Sequence, residues 1–251
     1  MIDLNIGKIR MLLRLYQMFA RIFRVLPKTR KVRLHDMEAT FFVPINNHYV
    51  CNDLADIEQK RREPELYRWL RDLDDGAIFF DVGTSYGQES ALASSPPGKQ
   101  VRVFGFDCGL YQSHFCALNR KLNEDRYKFT FAAISERSGD LITITANSDT
   151  HIAALHKKNV PYEYEVMTLA LDDFARANAV MPSHLKIDVD GAEVGVLKGA
   201  REILASDAIK EVFIEVDKDS MAVFDIMESN GFEVRWKIQK ANNVDVLFSK
   251  V

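Results

Sequence analysis

The sequence predicts an α/β fold: a Rossmann-like, doubly wound, mostly parallel seven-stranded sheet with a final antiparallel strand. An N-terminal amphipathic helix and a small hairpin should precede it. Three observations carry that expectation. From about residue 75 to residue 237, short apolar runs alternate with helical patterns, as βαβ units on a parallel sheet require. Three of the runs, 78–82, 101–107 and 185–190, bear an acid near their carboxyl ends and meet a glycine within two residues. Ligands of open α/β sheets bind outside the carboxyl ends of the strands, so these acids should gather on one edge. Finally, 251 residues with 47% hydrophobic and 27% charged content suffice for one α/β domain and an appendage. The expected organisation is a basic helix over residues 1–30, a hairpin and helix over 31–74 packing on the core, and a main domain over 75–251.

In chain order, Ile2, Ile6, Ile9, Leu13, Tyr16, Phe19, Phe23 and Leu26 recur at three- and four-residue steps. Arg10, Arg14, Arg21, Arg24 and Lys28, with Gln17 filling the gap, follow the same period one or two positions later, so an amphipathic helix should run to Pro27. It has no apolar run of 18 residues and so does not span a membrane, and its arginines interrupt any signal-peptide core. It can pack on its own domain, lie on a membrane surface as a peripheral contact, or form a homo-dimer through residues 2–26. Residues 1–33 hold nine Lys/Arg against Asp3 alone; they carry +8 and the remainder −11 of a net −3. A cationic arm usually marks an interaction surface, whereas the acidic body suits no nucleic acid.

A hairpin is expected over residues 31–34 and 39–43, and a helix over 56–73 with Leu66, Trp69, Leu70 and Leu73 as its core stripe. The alternation then reads strand 77–82, helix 86–94, strand 101–107, helix 110–123 and strand 127–134. Ser94-Ser95-Pro96-Pro97-Gly98 stops the first of these helices. After a strand at 141–145, residues 146–163 lack period; loops of that length usually serve function. His151 and His156 within it read as solvated loop histidines, with a catalytic base as the alternative. Strand 164–169, helix 170–178, strand 184–189, helix 191–204, strand 210–216, helix 218–229 and strand 232–237 complete the sheet, with an antiparallel strand over 242–248.

The chemistry begins at Asp81-Val82-Gly83-Thr84-Ser85-Tyr86-Gly87, a strand end, a glycine turn and a helix start. Backbone can approach a ligand closely there, and unpaired N–H groups point outward. The spacing is Gly-x-x-x-Gly, without the third glycine of a dinucleotide loop. An acid before the turn repels a pyrophosphate but suits the ammonium and sulfonium of S-adenosylmethionine. A competing reading makes Ser85 and Gln88 a capping box. Asp107, 24 residues beyond Gly83, stands where a carboxylate grips ribose hydroxyls. In the strand at 185–190, Lys186, Asp188 and Asp190 share one face. Asp190 and Glu193 read as a capping box, but Asp188 has no such role. Three cysteines without C-x-x-C and six histidines without H-E-x-x-H indicate neither a disulfide framework nor a zinc site. A reduced, cytoplasmic compartment fits that usage.

These segments resemble the FkbM-like family of S-adenosylmethionine-dependent methyltransferases. The match runs through residues 80–87, Gly105-Phe106-Asp107, residues 168–174, Leu185-Lys186-Ile187-Asp188-Val189-Asp190-Gly191-Ala192-Glu193 and Val196-Leu197-Lys198-Gly199-Ala200. It covers about residues 75–236. The family usually has Asn near Ser85, Glu at position 107 and Pro at position 108, where this chain has Asp107 and Cys108. The resemblance implies S-adenosyl-L-methionine as cofactor and O-methylation of a hydroxyl on a sugar, lipid or small secondary metabolite. It implies that Asp81 meets the cofactor's amino group directly or through water, Gly83 and Gly87 its methionine part and Asp107 the ribose, with the segment Ala132-Ala133-Ile134-Ser135 at the adenine and Thr84, Ser85 and Cys108 as further cofactor-binding residues. Asp188 is the first candidate at the methyl-transfer site, as base or as orienter of the cofactor, and Glu215 the second. Lys186 should hold Asp188 charged, and a divalent cation shared by Asp188 and Glu215 is an alternative arrangement. Two rival functions are a non-catalytic nucleoside-binding module docked through the basic helix and an NAD-dependent oxidoreductase; the missing third glycine argues against the latter.

Overall fold

The computed structural model describes residues 29–44, 47–146, 153–154, 162–217 and 220–251, with Arg14, Leu15 and Met18. The expected helix 2–26 is otherwise outside the described residues, as are His151 and His156. Among the described residues no helix is long and apolar enough to cross a membrane.

The hairpin is β1 (Thr29–Leu34) and β2 (Met37–Phe42), joined by the two-residue turn His35-Asp36, with His35 at φ 56°. Two helices follow, α1 (His48–Glu58) and α2 (Pro64–Asp72), where one was expected over 56–73. The break falls before Pro64, whose ring cannot sit inside a helix. Glu63 there takes a left-handed conformation, φ 43°. Leu66, Trp69, Leu70 and Leu73 are all buried, as the stripe required.

β3 (Ile78–Val82), α3 (Gln88–Ala93), β4 (Arg102–Asp107), α4 (Leu110–Leu122) and β5 (Tyr127–Phe131) begin the α/β alternation. β10 (His184–Ile187), α6 (Glu193–Lys198), α7 (Arg201–Ala205), β11 (Glu211–Asp217), α8 (Met221–Ser229), β12 (Phe232–Gln239) and β13 (Asn243–Lys250) complete it. The strands order as β12-β13-β11-β10-β3-β4-β5, seven in all, with β13 antiparallel to both of its neighbours.

One expected strand lies elsewhere. β9 (Tyr162–Leu169) leaves the main sheet and pairs antiparallel with β7 (Leu141–Ala146) and parallel with β6 (Ala133–Ile134). β8 (Ala153–Ala154) completes this second, four-stranded sheet. The run at 127–134 therefore divides between two sheets. α5 (Leu171–Asn178) follows β9, and the expected helix 191–204 breaks at Gly199, whose close approach to the Ser135 carbonyl leaves no room for a Cβ.

Strand alternation sorts the core. Phe80, Val82, Phe104, Phe106, Leu185, Ile187, Val212 and Ile214 face α5 to α8, while Phe79, Val103 and Phe213 face the hairpin, α1 and α2. Trp69 stacks on Phe213 and meets Phe79 edge-on, and its Nε1 donates to Glu211 at 2.8 Å. The hairpin is fastened by two asparagines one turn apart, Asn119 on α4 and Asn123 at its C-cap. The Thr40 and Phe42 amides donate to Asn123 and Asn119 at 2.9 and 2.7 Å, and Asn123 returns a bond to the Thr40 carbonyl. Buried amide side chains thus finish the hydrogen bonds that β2 leaves open.

Candidate active site

The acid-bearing strand ends open onto one cavity of about 540 Å³. Its floor is the turn after β3. Gly83 (φ 79°) donates to the Phe106 carbonyl at 2.9 Å, and Asp188 N donates to the Val82 carbonyl at 3.0 Å. A Cβ on Gly83 would lie 1.7 Å from the Asp188 carbonyl oxygen, so only glycine lets β3 and β10 close on each other.

Ser85 (φ 51°) is held by Asp107, which accepts from Ser85 N at 2.9 Å and Gly109 N at 2.7 Å, one amide on each oxygen. The second lone pair of each oxygen stays open to a ligand hydroxyl. Burial pushes this carboxyl up to about 6, against the two amides that favour its charge. Cys108, beside it, lines the cavity and packs on the second sheet; burial, then the nearby Asp107, pushes its thiol up to about 12. Ile134 also lines the wall, with Ala132.

Several expected contacts lie outside the lining. Asp81 is fully buried: its Oδ2 accepts from Thr84 Oγ1 at 2.7 Å and Ser90 Oγ at 2.6 Å, and its Oδ1 lies 3.4 Å from Lys186 Nζ. Thr84, spent on that bond, is fully buried too. Asp81, expected to meet an amino group directly or through water, lies behind the floor and is not part of the cavity lining. Gly87 (φ 79°) is the N-cap of α3, and a Cβ there would meet the Tyr127 hydroxyl at 2.6 Å. Ala133, alternating with Ala132 and Ile134, turns into the core of the second sheet with Ile144 and Val166. The capping boxes are absent as well. Gln88 Nε2 donates to Asp53 at 2.9 Å rather than capping with Ser85, and α6 has Ala192 as N-cap, with Glu193 accepting from Gly191 N.

Asp188 and Glu215 stand together on the wall. Lys186, almost wholly buried, places Nζ 3.3 Å from Asp188 and 3.4 Å from Asp81, the ion pair expected from strand parity. Burial opposes the charge on Asp188, but Lys186, then Arg62, outweigh it and hold the carboxyl below its ordinary range. Glu215 is the reverse case. Burial, then the Asp188 charge, pushes it up to about 7, although Lys240 donates to its Oε2 at 2.5 Å and pulls the other way. Two neighbouring carboxylates with opposed proton affinities are the pattern of an acid–base pair.

The sequence reading missed the remaining wall, on α1 and the segment before α2. Tyr49, Asp53, Asp56, Arg61, Arg62 and Glu63 border the cavity. Arg62 pairs with Asp53, and Arg61 donates to Asp56 at 2.9 Å. Only Pro64, which forces the chain to turn here, hinted at it.

The fold is a doubly wound α/β domain with the strand order 3-2-1-4-5-7-6 when the main strands are numbered along the chain, and its acid-lined cavity lies at the carboxyl ends of the parallel strands, where such folds bind ligands. The chain belongs to the FkbM methyltransferase family: the model of the methyltransferase FkbM domain matches residues 81–234, more than half its length. Its cofactor is S-adenosyl-L-methionine. No curated protein sequence matches the chain. The solved FkbM methyltransferase of Methylobacillus flagellatus KT is similar in fold, with a TM-score of 0.51 at 18% identity over 78% of this chain and 52% of that one. Aeropyrum pernix fibrillarin, solved with natively bound S-adenosyl-L-methionine, overlays with a TM-score of 0.49 at 10% identity over 74% of each chain. The donor set fits the cofactor: carboxylates at Asp107, Asp188 and Glu215 suit a ribose and two cationic centres, and the glycine turn lets backbone border the ligand.

Proposed function

We propose that the protein transfers a methyl group to a hydroxyl of a sugar, lipid or small secondary metabolite, with Glu215 as the general base. The observation that carries this reading is Glu215 on the wall beside Asp188: burial and the Asp188 charge push Glu215 up to about 7, whereas Lys186 holds Asp188 below its ordinary range. A base poised near the working pH is the most effective, and an alcohol, unlike a phenol, needs one. When bound, S-adenosylmethionine supplies an activated methyl and a good leaving group, so the chain's share is position and electrostatics. Gly83, Ser85 and Asp107 are assigned to hold the cofactor, Asp107 at the ribose hydroxyls, with Cys108 and Ile134 bordering the base. Asp188, fixed by Lys186, stays anionic where positive charge must be accommodated. Glu215 takes the acceptor's proton as its oxygen attacks. Aligning the two reactants accounts for up to roughly 7–11 kcal/mol of the barrier, and the base for a further 10²–10⁴-fold, in order of magnitude.

Charge on the acceptor side supports a neutral hydroxylated acceptor over a phosphodiester. Both arginines of the lining are engaged by Asp53 and Asp56, which leaves the wall dominated by carboxylates. An acceptor bearing phosphates would be repelled. The test is methyl transfer from labelled S-adenosylmethionine into glycan, lipid and small-molecule fractions of the native host. Label in a hydroxylated fraction that Glu215→Gln abolishes supports the reading. Label confined to RNA or protein refutes it.

A further inference from the structure

Lys240 occupies an unusual position. It lies in the turn between β12 and β13, and its ammonium contacts three carboxylates from three separate segments. Glu63, ahead of α2, and Glu215, on β11, each stand 2.5 Å away, and Asp245, on β13, stands 2.7 Å away. The three carboxylates present oxygens within 4.8 Å of one another, which is the spacing that cradles a metal ion. Asp245 is 3% exposed and a quarter of the Lys240 side chain reaches solvent, so the centre of the cluster is sheltered. One buried and two half-buried carboxylates at that separation repel one another strongly unless a cation sits among them.

We propose that Lys240 is a built-in cation in the place a divalent ion would take, and that it positions Glu215 on the cavity wall. Two things follow from the tether. Glu63 is held at the cavity lining while its backbone keeps a left-handed φ of 43°, a conformation that persists only where surroundings enforce it. Glu215 is oriented from both sides, with Lys240 on Oε2 and Asn243 Nδ2 donating to Oε1. The groups facing Glu215 are Asp188 from the end of β10, Glu63 from ahead of α2, and Lys240, Asn243 and Asp245 from the β12–β13 hairpin. Lys240 offsets the repulsion that the acids would otherwise impose, so Glu215 can be ionised at neutral pH. Lys240 acts through Glu215 and is therefore a positioning residue. Its role rests on the assignment of Glu215 as base.

The experiment uses manganese alone as probe. Wild-type protein should take up no Mn²⁺ at this cluster by calorimetry or electron paramagnetic resonance. K240A should bind one Mn²⁺ per chain, and adding D245N should abolish that binding. Mn²⁺ should also recover the melting temperature that K240A loses. K240A that gains no Mn²⁺ site overturns the proposal, as does wild-type Mn²⁺ binding that D245N removes. If K240A aggregates, ¹⁵N-lysine spectra of the wild type decide: a slowly exchanging Nζ signal, assigned by its loss in K240R, should disappear in D245N. No such signal would overturn the proposal. S-adenosylmethionine binding by wild-type protein, measured in parallel, tests the methyltransferase reading separately, because the manganese result does not depend on it.

Discussion

Asp107 offers the sharpest test of cofactor placement, because its charge, its hydrogen bonds and its titration all bear on one equilibrium. Its oxygens each hold one backbone amide, at 2.9 and 2.7 Å, and each keeps a lone pair for a ribose hydroxyl. Hydrogen bonds to a charged group contribute about 1.5–3 kcal/mol, so Asp107→Ala should weaken S-adenosylmethionine binding by roughly ten- to a hundredfold. Wild-type affinity should also depend on pH. The carboxyl sits at about 6 in the free protein, and only its ionised form accepts from both hydroxyls. The dissociation constant should therefore be flat above about pH 7 and rise by up to about tenfold per unit below 6. In Asp107→Ala that slope should vanish. Calorimetry from pH 5 to 8 with S-adenosylmethionine and S-adenosylhomocysteine measures both effects, with melting curves to confirm folding. An unchanged affinity in the folded mutant, or a slope that survives it, would refute the ribose assignment.

Other outcomes follow from the same network. Glu215→Gln should lower turnover by about 10²-fold or more and remove the acid limb near pH 7 from the rate profile, while cofactor affinity stays close to normal. Lys186→Met leaves Asp81 and Asp188 without their buried cation and should cost about 3–5 kcal/mol, seen as a fall of roughly 10 °C or more in melting temperature. Asn123→Ala orphans the Thr40 amide and carbonyl and should cost about 2–3 kcal/mol by urea unfolding, without touching the cavity. Asp107, Glu215 and Asp245 all have raised carboxyls in the folded state, so the stability they contribute is full below about pH 4 and lost as pH rises through 6 to 7. The ligand-free protein should thus melt at a lower temperature at pH 8 than at pH 5, and a flat profile would contradict these assignments.

Much of the fold was legible because its signals are local. Apolar runs ending on Asp81, Asp107 and Asp188 mark parallel strands buried on both faces, and their shared polarity puts their carboxyl ends at one edge. The pairing of Lys186 with Asp188 followed from parity alone. Parity read along a single strand fails where the chain changes sheet. Residues 127–134 have strand composition throughout, yet they pass from β5 to β6, and Ala133 turns away from the cavity between Ala132 and Ile134. For β9, composition shows that residues 162–169 form a strand but not which partner they pair with.

The wall built by α1 and the segment before α2 was illegible for a different reason. Most of its residues have an ordinary surface explanation in sequence: Asp56 on the expected charged helix, Arg61 and Arg62 in a basic pair, Glu63 before a proline. They matter only because Pro64 ends one helix and starts another, folding that corner back over the strand ends. Glu63 then meets Lys240, 177 residues away in sequence. The same distinction separates Asp81 from Asp107. Both end strands next to a glycine turn, but Asp81, at the parity of Phe79, faces the buried Lys186 layer, whereas Asp107 lies past the end of β4's hydrogen bonding to β3 and reaches the cavity. A carboxylate one residue too early in its strand becomes a brace; one at the very end reaches the cavity. The part of such a cavity made by strand ends can be read from sequence. The part built from segments with no regular period emerges only when long-range packing brings them together.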